Sequence, residues 1–196
     1  MKDRSLARLF VAVDLPALVR ERLAVWAKAA IAGVFAGRSA MPRLIGPESM
    51  HLTLCFLGNR PTTEIAALGD AVGACVRPVG ELTLGAPLWL PPRRPRALAV
   101  EVHDESGALR ALKDDVLDAL GAVCDAELGA ERRRFRPHVT VARLRERARP
   151  SERRLGPTPA LSFAPESLAL YRSFLARDGA SYESLASVVL PPSPPA

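Results

Sequence analysis

Lysine is scarce in this chain: Lys2, Lys28 and Lys113 are the only three, so 24 (27 − 3) of the 27 basic residues among its 196 are arginine. A GC-rich genome writes Arg- and Ala-heavy chains anyway, so the net charge of +6 is by itself a weak pointer to nucleic acid. Cysteine is also rare. Cys55, Cys75 and Cys124 lie far apart with no C-x-x-C spacing, which argues against a disulfide framework and fits small buried fillers in a reducing compartment. No apolar run approaches the ~20 residues needed to cross a bilayer. The apolar stretch Leu9 to Val13 near the basic N-terminus is cut short by Asp14, below the ~7–15 residues of a signal-peptide core. A cytoplasmic protein without a membrane partner is expected, and a monomer. Neither G-x-G-x-x-G nor G-x-x-x-x-G-K-[ST] occurs, which removes the common nucleotide-cradling loops.

What charge there is stands in one place. From Arg132 to Arg154 ten arginines face two acids, Glu146 and Glu152, a local balance of +8 that leaves the rest at −2 (6 − 8). Such a run is either a solvated face or a surface for a polyanion.

Alternation predicts a strand over Leu6 to Val13, ending at Asp14-Leu15-Pro16. A helix is expected over 17–36, its apolar stripe Val19, Leu23, Trp26, Ala30 and Val34. Met50 to Leu57 reads as a strand, followed by a helix from Thr62 or Thr63 as N-cap to Val76 with Ile65, Leu68, Val72 and Cys75 buried. Further strands are expected at 81–90 and 96–103. Ser106 opens a third helix, with Leu109, Leu112, Val116, Leu120 and Val123 on one face, stopping near Gly129. Strands at 138–144, 161–175 and 182–190 complete the chain, the last two around an Asp178-Gly179 turn. A single domain over 1–190 is expected, with a disordered tail over 191–196. At least seven strands with hairpin-like connections and three helices indicate an α+β fold with antiparallel sheets.

One internal repeat stands out. His51-Leu52-Thr53-Leu54-Cys55-Phe56-Leu57 and His138-Val139-Thr140-Val141-Ala142-Arg143-Leu144 share the pattern H-apolar-T-apolar-small-x-Leu, 87 (138 − 51) residues apart. This suggests two lobes related by an approximate two-fold. On a strand, His and Thr two apart project together, roughly 6.5–7 Å along the chain, while Leu52, Leu54, Val139 and Val141 point into a core. With three histidines and six threonines in all, two H-x-T matches rarely arise by chance.

Two such strands facing each other bring two imidazoles and two hydroxyls around one small cavity. That set suits in-line displacement at a phosphodiester. A neutral histidine deprotonates the attacking water, and a protonated one delivers a proton to the departing ribose oxygen. The hydroxyls of Thr53 and Thr140 can donate to non-bridging oxygens. The residues alone do not say which histidine plays which part. For either motif by itself, an ordinary half-buried strand histidine is the commoner case; the matched pair favours a site.

Arg8-Leu9-Phe10-Val11-Ala12-Val13-Asp14-Leu15-Pro16, the two H-x-T motifs, Arg136-Pro137-His138 running to Arg143, and Leu170-Tyr171-Arg172-Ser173 followed by Gly179 and Tyr182-Glu183 resemble the bacterial and archaeal RNA 2′,3′-cyclic phosphodiesterases. These belong to the two-histidine phosphoesterase superfamily and were once described as 2′-5′ RNA ligases. The resemblance runs from Arg8 to Leu190. It implies a bilobal α+β fold with two antiparallel sheets facing a central cleft, helices outside, and no metal or other cofactor. It further implies His51 as proton donor, His138 as proton acceptor, and hydrolysis of 2′,3′-cyclic phosphates on RNA ends or nucleosides to a 2′-phosphate. Arg143 is implied as a substrate contact, although strict alternation places it on the face opposite His138, so that role requires a bulge or a strand end.

Other residues carry weaker readings. His103 is expected at the surface, and two histidines without a third ligand disfavour zinc. Phe10, Phe56 and Phe135 are expected in the core rather than stacking a base. By alternation Cys55 shares the His51 face. Tyr171 and Tyr182 are expected to be structural, and Arg132 to Arg134 and Arg93 to Arg96 could rim the cleft. The same residues leave room for two rival functions: end-joining to a 2′-5′ linkage through the same site, and a non-catalytic RNA-binding module using the arginines.

Overall fold

A computed structural model describes residues 5–38, 40–124, 135–145, 148–176 and 179–192. The chain runs β1 (Leu6–Asp14), α1 (Ala17–Val34), β2 (Arg43–Leu44), β3 (His51–Pro61), α2 (Ile65–Ala74), β4 (Leu82–Leu90), β5 (Ala97–His103), α3 (Ala108–Val123), β6 (His138–Arg143), β7 (Ser162–Phe163), β8 (Ser167–Ala176) and β9 (Gly179–Val189). Arg132 to Arg134, Gly129, Asp178 and residues 193–196 lie outside the described residues.

Every strand pairing among the described residues is antiparallel, in the order β7-β4-β5-β6-β3-β1-β8-β9, with β2 on β6. The two expected sheets are the halves of this array, joined where Leu52 of β3 pairs with Val139 of β6. The two-fold is visible in the connections. β1-α1-β3 and β5-α3-β6 are both strand-helix-strand units whose strands pair, with β8 flanking β1 as β4 flanks β5. Each helix crosses to the other half, α1 packing on β6 and α3 on β3. Leu52, Leu54, Val139 and Val141 are buried beneath these helices, and the histidines are left on the open face.

Element ends depart from the pattern for local reasons. In α1 the fully buried positions include Val19, Leu23, Ala27 and Ile31, an i, i+4 row that leaves Trp26 and Ala30 at its margin. Thr62 does not cap α2: it begins a 3₁₀ turn, and its hydroxyl pairs with Ser5 Oγ at 2.7 Å. Gly107, at φ +73°, precedes α3, and Ser106 Oγ accepts from the Ala108 amide. The strand expected over 161–175 is two strands, interrupted at Pro165, which has no amide hydrogen for a ladder. No described helix is long and apolar enough to cross a membrane.

Candidate active site

Both motifs break alternation at the same place. Ala12 pairs with Thr53 but Val11 with Cys55, so Leu54 is an extra residue in β3. Ala99 pairs with Thr140 but Leu98 with Ala142, so Val141 is an extra residue in β6. These are β-bulges, and each reverses the facing of the strand residues beyond it. Leu54 and Cys55 are both buried, as are Val141 and Ala142. Phe56 and Arg143 therefore turn to the histidine face. The bulge supplies what Arg143 required, and it overturns the placement of Cys55, which is fully buried on the core side.

The open face forms a cleft of about 820 Å³ lined by His51, Thr53, His138, Thr140 and Arg143 among others. Thus the fold brings these five residues together in one cleft. Each imidazole is oriented by the backbone two residues before it: His51 Nδ1 donates to the Ser49 carbonyl at 3.0 Å, and His138 Nδ1 to the Arg136 carbonyl at 2.8 Å. A carbonyl only accepts, so Nδ1 carries the hydrogen and Nε2 is the nitrogen left for proton transfer.

Their surroundings differ. His51 sits among rings: Phe10 at 4.8 Å, Tyr182 edge-on at 5.0 Å and Tyr171 stacked at 6.0 Å between centroids. Phe10 is itself buried against Tyr171 and Phe56, but on the cleft side and outside the main core cluster. Burial among these rings holds the His51 pKa down at about 4, opposed by its bond to Ser49 and by Asp14, and assisted by Arg143 and His138. His138 and Arg143 thus lie within electrostatic reach of His51. This depression has a stability cost with a definite sign. Between about 6.5 and about 4 the unfolded chain takes up a proton that the folded His51 refuses, so stability falls as pH drops through that window. Two and a half units correspond to about 3 kcal/mol. Urea unfolding at pH 7 and 4.5 should show wild type losing about 2–3 kcal/mol more than His51→Gln over that interval.

Among the described residues six cations line the cleft, Arg8, Arg43, Arg96, Lys113, Arg136 and Arg143, and no lining residue is a carboxylate. Only two of them belong to the arginine-rich run. Arg43 stands beside Arg143 by strand pairing, and Lys113 lies over the Phe135 ring at 4.6 Å. Sequence reading missed Arg43 and Lys113 because tertiary contact, not local pattern, brings them in: strand pairing for Arg43, and packing of α3 against Phe135 for Lys113. Part of the run is structural instead: Arg153 donates to the Pro92 and Arg93 carbonyls and pins that loop. His103 is exposed, its ring lying over Gly85, where a Cβ would collide with it. No group of three or more His, Cys, Asp or Glu able to hold a metal occurs among the described residues.

Two H-x-T strands meeting at the centre of a pseudo-symmetric antiparallel array, over a basic cleft, define a two-histidine phosphoesterase fold. The family model described as the 2′-5′ RNA ligase superfamily matches residues 9–174, and the chain belongs to that superfamily. Curated relatives named RNA 2′,3′-cyclic phosphodiesterase include one from Thermus thermophilus, 33% identical over 91% of this chain and 87% of the relative. One from Escherichia coli is 31% identical over 91% of this chain and 93% of the relative. The crystal structure of E. coli LigT complexed with 3′-AMP superimposes with a TM-score of 0.72 at 29% identity, covering 95% of this chain and 99% of that one.

Proposed function

We propose that this protein hydrolyses 2′,3′-cyclic phosphates at RNA or nucleotide ends, with His138 as general base and His51 as general acid. The observation that carries the reading is the pair of imidazoles, each fixed in the Nδ1–H form, in one cation-lined cleft. His138 Nε2 takes a proton from water as the water oxygen bonds to phosphorus. The P–O3′ bond breaks, and His51 returns a proton to O3′, leaving a 2′-phosphate and a 3′-hydroxyl. One water is consumed and the enzyme's protons are restored by exchange with solvent. Thr53, Thr140 and Arg143 stabilise the charge gathering on the non-bridging oxygens.

A donor whose pKa the protein alone holds at about 4 needs its proton to arrive with the substrate. A phosphate monoanion about 4 Å from His51 contributes about 4 kcal/mol at an effective dielectric near 20. That equals about 3 pKa units, enough to carry His51 from about 4 to near neutrality. Inorganic phosphate binding at pH 6 should therefore be accompanied by net proton uptake beyond that of the phosphate itself, read as a buffer-dependent heat in calorimetry, and His51→Gln should lose it. The function is tested with an oligonucleotide ending in a 2′,3′-cyclic phosphate. Chromatography resolving 2′- from 3′-phosphate should find the 2′ product, formed equally well in EDTA. An untouched cyclic end, or a joined 2′-5′ product in its place, would refute the reading.

A further inference from the structure

The two-fold that relates the histidines also places a carboxylate opposite each: Asp14 pairs across the ladder with His51, and Glu101 with His138. Their engagements differ. Glu101 accepts from Arg136 Nε at 3.0 Å. Asp14 accepts instead from neutral groups, Ser167 Oγ at 2.5 Å and the Tyr171 hydroxyl at 2.6 Å. The Tyr171 ring is in turn stacked on Phe10 and on His51, at interplanar angles of 15° and 23°. Two β8 side chains thus hold the Asp14 carboxylate in a fixed orientation beside the His51 strand.

We propose that Asp14, held by Ser167 and Tyr171, is a positioning residue that supplies the counter-charge for the proton carried by His51. The proposal rests on the acid–base roles of His51 and His138 and goes beyond them by explaining how two motifs of the same sequence act differently. Ionisable groups reach His51 from several elements. They are Asp14 on β1, His138 and Arg143 on β6, Tyr171 on β8 and Tyr182 on β9, with Arg20 of α1 acting on Tyr171 and Glu48 in the preceding 3₁₀ turn folded over Gly46. Of the described charges that act on the ring, Asp14 alone favours its protonated form. Burial and the adjacent carboxylate keep the proton on Tyr171, so the phenol serves Asp14 as a donor and is no acid at working pH. Glu101, matched with the guanidinium of Arg136, offers His138 no comparable counter-charge.

The experiment compares wild type with Asp14→Asn, which keeps the shape and can still accept from Tyr171. Asp14→Asn should move the basic limb of the kcat–pH profile down by about one unit, cut kcat at pH 7.5 by a factor approaching ten, and leave KM within threefold. The His51 ring, followed by NMR, should titrate at lower pH, and that of His138 should not move. Tyr171→Phe, which keeps the stacked ring and leaves the carboxylate to Ser167, should move the limb in the same direction by less. An unmoved limb and an unmoved His51 titration in Asp14→Asn overturn the proposal. Should that variant fail to fold, Tyr171→Phe combined with Ser167→Ala is read by the same two measures, and no shift overturns it equally. A wild-type protein inert toward 2′,3′-cyclic phosphates defeats the functional reading instead, and the NMR titration still decides the role of Asp14.

Discussion

His138→Ala should lower kcat on a 2′,3′-cyclic-phosphate end by 10² to 10⁴, the usual worth of one general acid–base step. His51→Ala should lose a similar factor. The double variant should be little worse than either single one, because an acid and a base acting in one displacement fail together. The two substitutions differ in what they do to the fold. His138 lies at the cleft surface with its ring tied to the Arg136 carbonyl, so its removal should change urea unfolding by no more than about 0.5 kcal/mol. His51 fills a space among Phe10, Tyr171 and Tyr182, so His51→Gln is the cleaner variant. Undiminished turnover in either histidine variant would remove that residue from the chemistry.

Arg143→Ala should cost about 10² in kcat/KM, the scale for losing one preorganised charged donor at a developing oxyanion. The loss should divide between KM and kcat, because the cyclic phosphate is already anionic before reaction and gains charge density during it. Arg143→Lys should recover only part, since an ammonium restores the charge but not the planar fork that can hold two phosphate oxygens. A second consequence has a fixed sign. Arg143 helps to hold the His51 pKa down, so its removal lets that pKa rise and should move the basic limb of kcat to higher pH. Steady-state kinetics across pH 5–9 reads both effects.

The candidate site positions were legible because they obey a local period. His51 and Thr53, and His138 and Thr140, are two apart on strands, and their alternating Leu and Val neighbours are core. Helices with a dominant apolar row were legible too, α1 and α2 within a turn at each end; α3 runs to Val123, and its expected stop near Gly129 lies outside the described residues. What escaped depends on pairing partners. The bulges at Leu54 and Val141 exist only relative to β1 and β5, so no reading of β3 or β6 alone could return Arg143 to the cleft or withdraw Cys55 from it. In the same way Asp14 looked like a strand terminator, and Tyr171 like packing. Their meeting across 157 positions of sequence is a product of the β1–β8 ladder. The arginine-rich run misled in part: its density is a property of the segment, whereas the positive cleft is assembled from several elements.

The assignment of donor and acceptor is tested most directly with a substrate whose 3′-oxygen is replaced by sulfur. A thiolate, with a parent pKa of about 8.5, departs without a proton, whereas an alkoxide needs one. His51→Gln should hydrolyse the 3′-thio 2′,3′-cyclic phosphate within about tenfold of wild type, its lost acid step bypassed, while His138→Ala stays impaired by the 10² or more expected for a missing base. Rescue of His138→Ala in place of His51→Gln would reverse the roles, and rescue of neither would contradict proton donation to the leaving oxygen altogether.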